Sequence, residues 1–336
     1  MDIRKKLLGA EHSDTLTSMA NLASTYRNQG RWNEAEELNI QVVDMRKKLH
    51  GTEHPDTLIS MGTLAIICSS KGKWGEAEQL EVQVLDIRKK LLGVEHPDTL
   101  TSMGNLASVY SGEGKWHEAV QLGVQVLDTR KKLLGADHPD TLKSMENLAG
   151  IYSYQGKWDE AEKIGVRVLD LKKKLFGTEH PDTLISMGTL AIICSSKGKW
   201  GEAEQLEVQV LDIRKKLLGV EHPDTLTSMG NLASVYSGEG KWHEAVQLWV
   251  QVLDTRKKLL GADHPDTLKS RENLAGYLKK YEVEEVKVQV MDTRENLLGA
   301  EHPDTLVNMG NLEGMYAYQI SNSSLSASAP SGTDFH

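Results

Sequence analysis

The residue type with the clearest potential for chemistry is histidine, which recurs with a step of 42 residues in the motif His-x-Asp-Thr-Leu. The motif begins at His12, His54, His96, His138, His180, His222 and His264, and a shortened step brings it to His302. A zinc site needs imidazole nitrogens about 2.0–2.1 Å from one ion, whereas packed helices lie about 8–10 Å apart. Equivalent histidines therefore cannot share a metal. We interpret each as the residue before a helix-opening proline, and we predict neither a metal site nor a cofactor.

The two cysteines are the candidate nucleophiles. Cys68 and Cys194 occupy equivalent positions, where other units carry Tyr110 or Tyr152. No histidine or aspartate accompanies them in the repeat, so we interpret both as buried apolar residues. Two cysteines indicate no disulfide framework, which favours a reducing, cytoplasmic location.

Basic runs such as Arg130-Lys131-Lys132 are candidate phosphate ligands. They precede Gly135, and cations followed by glycine are typical of a helix C-terminus. The formal net charge of −9 argues against nucleic acid as a partner. The segment from Gly112 to Lys115 lacks the Ser/Thr and upstream glycine of a phosphate loop, and no nucleophile elbow or HExxH motif occurs. We therefore predict that the protein is not an enzyme.

A polar row carries the strongest binding signal. Thr101, Asn105, Ser108 and Gly112 share one face of a predicted helix, opposite its apolar face. An amide has donors and acceptors and can pair with the backbone of an extended peptide. Asparagine recurs at this place in six units, at Asn21, Asn105, Asn147, Asn231, Asn273 and Asn311, with Thr63 and Thr189 as exceptions. The alternative is that the amides pack between adjacent helices.

Glycine and lysine residues lie beside this row. Mid-helix glycine costs about 1 kcal/mol relative to alanine, so Gly62 and Gly104 indicate a need for space, either for a ligand or for the next helix. Lys143 and Lys269 add positive charge. The predicted binding residues are Asn21, Asn105, Ser108, Lys143, Asn147, Asn231, Ser234, Lys269 and Asn273.

Two helices per repeat position these residues. The first is predicted to begin at Pro97, with Asp98 at the positive end of its dipole, and to break at Gly112 and Gly114. The second is predicted to open at Lys115-Trp116, with the recurring tryptophan packed between hairpins. Neither helix can bury its apolar stripe alone, so neighbouring hairpins must stack.

The string NLASVYSGEGKWHEA, residues 105–119, resembles a tetratricopeptide repeat. The 42-residue step, with LG-x-x-HPDTL and GKW-x-EA, resembles the repeats of kinesin light chains; similar arrays occur in nucleotide-binding signalling ATPases of fungi and bacteria. The resemblance implies an all-α, right-handed α-solenoid (superhelix) of stacked helical hairpins. It also implies a concave groove lined by the first helices, where the polar row would contact a partner.

One position departs from the resemblance. Four residues after the second-helix alanine, where the family often has an aromatic residue, this chain has Asn39, Glu81, Gly123, Gly165, Glu207 and Trp249. Only the last is aromatic, so we expect looser packing of the second helices.

The predicted organisation is a partial helix at 1–8, an array at 9–320 with seven hairpins and a final unpaired helix, and a disordered serine-rich tail at 321–336. Residues 51–150 recur at 177–276, and only positions 123/249 and 145/271 differ. The unfinished repeats at both ends suggest a fragment of a longer ancestor or end-to-end self-association, with simple fraying as the alternative.

We therefore predict a non-catalytic scaffold that binds a protein or peptide partner in its groove. The alternatives are a sensor or regulatory module related to signalling ATPases, and a kinesin light chain-like cargo adaptor. The adaptor hypothesis is weakened because the heptad coiled coil through which kinesin light chains join their motor is missing from this sequence. The N-terminus lacks the apolar region of a signal peptide, and no apolar run reaches about 18 residues, so no membrane association is expected.

Overall fold

The computed structural model describes residues 8, 9 and 11–280. The predictions for residues 1–7, for the second helix of the seventh hairpin, for the unpaired helix near Pro303 and for the serine-rich tail lie outside the described residues. The chain divides into two compact units, residues 1–193 and 194–336, which are treated separately below.

Throughout the described part of the chain the secondary structure is helical, with no strand. Between residues 11 and 280 the chain forms thirteen helices: α1 (Ser13–Asn28), α2 (Trp32–His50), α3 (Pro55–Ser70), α4 (Trp74–Leu92), α5 (Pro97–Glu113), α6 (Trp116–Leu134), α7 (Pro139–Tyr154), α8 (Trp158–Phe176), α9 (Pro181–Ser196), α10 (Trp200–Leu218), α11 (Pro223–Glu239), α12 (Trp242–Leu260) and α13 (Pro265–Lys280). Odd-numbered helices are the first helices of the repeats and even-numbered helices are the second, so the predicted all-α array of helical hairpins is confirmed.

The histidine motif forms the start of each first helix. His96 has extended backbone angles, and its Nδ1 accepts a hydrogen bond from the Asp98 N–H at 3.1 Å. Pro97 follows at the first helical position, where its missing N–H has no partner to lose. The histidine is thus a side-chain N-cap, a more specific role than the sequence pattern indicated.

The turn within each hairpin depends on a left-handed glycine. Gly114 has φ 86° and ψ 9°, and the Lys115 N–H donates to the Tyr110 carbonyl at 2.8 Å. This six-to-one bond satisfies a carbonyl at the end of α5, as in a Schellman motif. The predicted break at Gly112 was wrong, because α5 continues through Gly112 to Glu113. The predicted opening at Trp116 is confirmed.

In the first unit each helix from α1 to α7 packs against the one that follows it, and the first helices of neighbouring hairpins also touch, α3 with α5 and α5 with α7. One core cluster joins Met103 and Leu106 of α5 to Leu85 of α4 and Val126 of α6. Each hairpin therefore buries its apolar stripe against the preceding one, which is how repeat arrays obtain stability.

Two further contacts fix the spacing between hairpins. The Trp74 indole lies so close to α5 that a Cβ atom added at Gly112 would be 2.4 Å from the ring. Arg88 donates from Nη1 to the Asp98 carbonyl at 3.0 Å and to Ser102 Oγ at 2.7 Å. The predicted packing role of the tryptophan is confirmed, and the arginine of the basic run contacts the next hairpin as well as completing its own helix.

In the second unit the same packing recurs. Leu226, Met229 and Leu232 of α11 form a core with Leu211 of α10 and Val252 of α12. A second cluster joins Val246 and Leu253 of α12 to Leu274 of α13, with the Trp249 ring packed against it. The duplicated block therefore repeats the architecture as well as the sequence.

Candidate binding groove

A cavity of the first unit runs across three successive first helices. It has a volume of about 750 Å³ and we call it the first-helix groove. Its lining comes from α3 (Ile66, Ser69, Ser70), α4 (Trp74, Glu81), α5 (Asn105, Ser108, Val109, Ser111, Gly112), α6 (Trp116) and α7 (Glu146, Asn147, Gly150, Ile151, Tyr154). Tyr154 is highly exposed at its edge. The groove thus combines amides and hydroxyls with accessible apolar surface.

Three of the predicted residues of the first unit, Asn105, Ser108 and Asn147, line the groove. Lys143 lines an adjoining cavity of about 270 Å³ that also reaches both asparagines. Asn21 is exposed on α1, away from these two cavities. The polar row is therefore accessible from α5 to α7 and is not sealed from solvent.

The second unit carries the remaining predicted residues. Asn231 is half-buried and Ser234 is exposed on α11, while Lys269 and Asn273 are exposed on α13. These positions repeat the polar row of the first unit.

The amides of the row are not equivalent. Asn105 donates from Nδ2 to Glu81 Oε1 at 3.2 Å, a contact with a second helix and not with a neighbouring first helix. Asn147 is exposed. Ser108 donates to the Gly104 carbonyl of its own helix at 3.1 Å. Asn105 thus has both a structural contact and a surface facing the groove.

A buried carboxyl group in the groove was missed in the sequence interpretation. Glu81 is 1% exposed and its Oε2 has no hydrogen-bond partner. Burial raises the pKa of Glu81 to about 7, although the Asn105 hydrogen bond and the charge of Arg88 act in the opposite direction. The only signal in the sequence was an acidic residue at a place where the family often has an aromatic one.

The second carboxyl group in the groove, Glu146, is already paired. Its Oε1 accepts from Lys172 Nζ at 2.6 Å and from Ser186 Oγ at 2.7 Å. The predicted cation Lys143 lies 3.9 Å from the other oxygen. The Lys143 side chain is mostly exposed, so its charge faces solvent as well as Glu146.

The single glycine-to-tryptophan difference between the duplicated blocks changes this region. At Gly123 the space is occupied by Leu148 and Ile151, whose methyl groups lie 3.2 and 3.4 Å from the position of an added Cβ. In the second unit the Trp249 ring instead reaches α11, the first helix of its own hairpin, and lies 3.4 Å from a Cβ built on Gly230. Gly62 and Gly230 thus face the variable second-helix position of their own hairpins, whereas no atom lies within 4 Å of a Cβ added at Gly104.

Cys68 belongs to a cluster with Glu36 and Glu76 in which the potential ligand atoms lie within 4.8 Å of one another. Glu36 is bound by Lys71 and, at 2.8 Å, by Lys73. Burial and the two carboxylates raise the pKa of the Cys68 thiol to about 11, so the thiolate is disfavoured at neutral pH. Cys68 and Cys194 are both buried and outside any disulfide, in agreement with their interpretation as apolar core residues.

Comparison with known proteins agrees with the geometry. Models of the tetratricopeptide repeat match residues 1–48, 14–90, 82–132, 98–174 and 140–216, and a related tetratricopeptide repeat model matches residues 225–266. The matches cover more than half of the chain, so it belongs to the tetratricopeptide repeat family.

The similar solved structures include kinesin light chain-like repeat proteins. The "nearly identical TPR-like repeats" of a putative kinesin light chain from Podosopora anserina are 36% identical, with a TM-score of 0.54 over 62% of this chain and 99% of that one. A variant of that protein gives 36% identity and a TM-score of 0.55 over 61% and 97%. BtubC (BKLC) from P. vanneervenii, at 20% identity and a TM-score of 0.52 over 73% and 92%, shares the fold. No curated protein matches the chain.

None of the described helices is long and apolar enough to span a membrane.

Proposed function

We propose that this protein is a non-catalytic scaffold that binds an extended segment of a protein partner in the first-helix groove. The observation that carries the proposal is the groove itself: about 750 Å³ of accessible space across three first helices, with Asn105, Ser108 and Asn147 in its lining. Membership of a repeat family that typically binds proteins supports the same class of function.

Recognition would combine backbone pairing with side-chain pockets. The amides of Asn105 and Asn147 can donate to and accept from a peptide backbone, which fixes the peptide along the row. Exposed apolar surface from Ile66 and Tyr154 would contact side chains of the peptide. Asn231 and Ser234 would play the same roles in the second unit, with Lys269 and Asn273 extending the row.

The experiment is affinity capture from the native host with quantitative mass spectrometry. Changing Asn105, Asn147 and Asn231 to Ala removes the amides, and we expect at least a tenfold loss of the specific partner, which corresponds to about 1.4 kcal/mol. The matched control changes Gln83, Gln125 and Gln209, exposed amides on second helices, to Ala. Undiminished capture by the asparagine variant, with helicity retained, would contradict the groove model.

A kinesin light chain-like adaptor is the second candidate, because the repeats are 36% identical to those of a putative kinesin light chain. It uses the same groove, and the identity of the captured partner distinguishes a cargo adaptor from other scaffolds. The sensor module related to signalling ATPases stays a hypothesis that the neighbouring coding sequence can test. End-to-end self-association also stays a hypothesis, as does a cytoplasmic location.

A further inference from the structure

The first-helix groove contains a carboxyl group that the protein itself leaves incompletely bonded. Glu81 Oε1 accepts from the Asn105 amide at 3.2 Å, whereas Oε2 is buried without a hydrogen-bond partner. Buried polar atoms are normally paired, and each exception calls for an explanation. A ligand that donates to Oε2 would supply the missing bond.

The surrounding charges do not neutralise Glu81. Arg88 lies on the same helix, but its Nη1 donates to Asp98 and Ser102 of the next hairpin. Glu146 is the other carboxylate of the groove, and it is held by Lys172 and Ser186. Among the described residues, Glu81 therefore has a distant cation on its own helix and no direct ion pair.

Space for a ligand is available beside the carboxyl group. On α3 the facing residue is Gly62, and a Cβ added there would make ordinary van der Waals contact with Glu81 Oε1 at 3.7 Å. The groove reaches Glu81 directly.

The same arrangement recurs in the duplicated block. Glu207 of α10 is 1% exposed, and neither of its carboxylate oxygens has a hydrogen-bond partner. Asn231 occupies the position equivalent to Asn105. It is close enough to Glu207 to oppose the rise in the pKa of that carboxyl group, but the two side chains do not meet the geometry of a hydrogen bond. Both copies of the block therefore keep an incompletely bonded acid.

We propose that Glu81 receives one cationic side chain, a lysine or an arginine, from the partner segment that lies in the first-helix groove. The inference rests on the proposed function and adds the chemical class that the groove selects. A charge-assisted hydrogen bond to a desolvated carboxylate is stronger than a neutral one. The acidic overall charge of the chain, −9, also favours a basic partner segment.

Binding of the cation is coupled to release of a proton. The cation pairs with the ionised carboxylate, whereas a pKa of about 7 leaves Glu81 mostly protonated at pH 6. The ionised fraction rises roughly tenfold between pH 6 and pH 8, so affinity for the cation rises by about the same factor. A neutral side chain would show no such dependence.

The test is a titration of the full chain with small-molecule probes, monitored through the ¹³C chemical shift of the Glu81 carboxyl carbon. The probes are Nα-acetyl-arginine methylamide and Nα-acetyl-lysine methylamide, with Nα-acetyl-norleucine methylamide as the neutral comparison. We expect at least one cationic probe to lower the Glu81 pKa by about one unit and to bind about tenfold more tightly at pH 8 than at pH 6. Perturbation by norleucine of equal size, or cation affinity that is flat with pH, would overturn the proposal.

Glu81→Gln keeps the shape of the side chain and removes its charge, so it should abolish the cation-dependent effect. Glu118→Gln, at an exposed position on α6, is the matched control and should leave it intact. If Glu81→Gln captures the native partner as well as the wild type while the asparagine variant loses it, the cation site fails and the groove function stands. If the asparagine variant captures fully, the groove function itself fails.

Discussion

Between pH 5 and pH 8 the ionisation of Glu81 is expected to lower the free energy of unfolding of the wild type by about 2–3 kcal/mol. The Glu81→Gln variant should not show this loss. Burial raises the pKa of Glu81 from 4.5 to about 7, and each unit corresponds to about 1.4 kcal/mol. Glutamine is neutral at every pH, so it avoids the cost of an ionised carboxylate in a buried site.

The sign follows from proton binding. Below about pH 4.5 the carboxyl group is protonated in both the folded and the unfolded chain. Between about pH 4.5 and 7 the folded chain holds a proton that the unfolded chain has released, so the free energy of unfolding falls as pH rises. Above that window the whole contribution has been lost.

Urea unfolding from pH 5 to pH 8 measures this effect, with midpoints compared at each pH because long repeat arrays need not unfold in two states. Glu118→Gln is again the exposed control and should run parallel to the wild type. Parallel profiles for Glu81→Gln and the wild type would show that the carboxyl group does not have the raised pKa on which the prediction depends.

Gly112→Ala is expected to lower the free energy of unfolding by about 1–3 kcal/mol, the range for overpacking a filled site. The new Cβ would lie 2.4 Å from the Trp74 ring, closer than carbon atoms can approach, so α5 or the indole must shift. Gly238→Ala should behave alike, because an added Cβ there would lie 2.2 Å from Trp200.

Gly104→Ala on the same helix is the matched control. No atom lies within 4 Å of a Cβ added at Gly104, so alanine should stabilise α5 by about 0.5–1 kcal/mol. Combining Gly112→Ala with Trp74→Ala should remove the steric penalty, as measured in a double-mutant cycle by urea unfolding. Equal stabilisation by alanine at 104 and 112 would show that the indole does not hold the hairpins in register.

The behaviour of Gly112 shows where sequence reasoning reached its limit. Local signals place the start of each helix correctly, since Pro97 and Trp116 are first helical residues. Gly112 looked like a helix break because glycine disfavours helix. A glycine is required at this position because the indole of Trp74, 38 residues earlier in the chain, occupies the space of a side chain. A contact between residues so far apart in sequence cannot be predicted from a local pattern.

The candidate site was predicted in part for the same reason. Helical spacing put Asn105 and Ser108 on one accessible face, and the groove follows that face. Spacing could not show that Asn105 donates to Glu81, nor that a carboxyl group is buried at that position. The sequence departure at Glu81 suggested loose packing of the second helix, whereas the structure places a buried acid there.

The most direct test of the central claim, recognition along the first helices, is site-specific photo-crosslinking of the full chain in native extract. A benzophenone amino acid replaces Ser108, exposed in the groove, or Gln121, exposed on α6 outside it. We predict one specific crosslinked partner from position 108 and none from position 121. Crosslinking of that partner from position 121 alone, or equally from both, would contradict it.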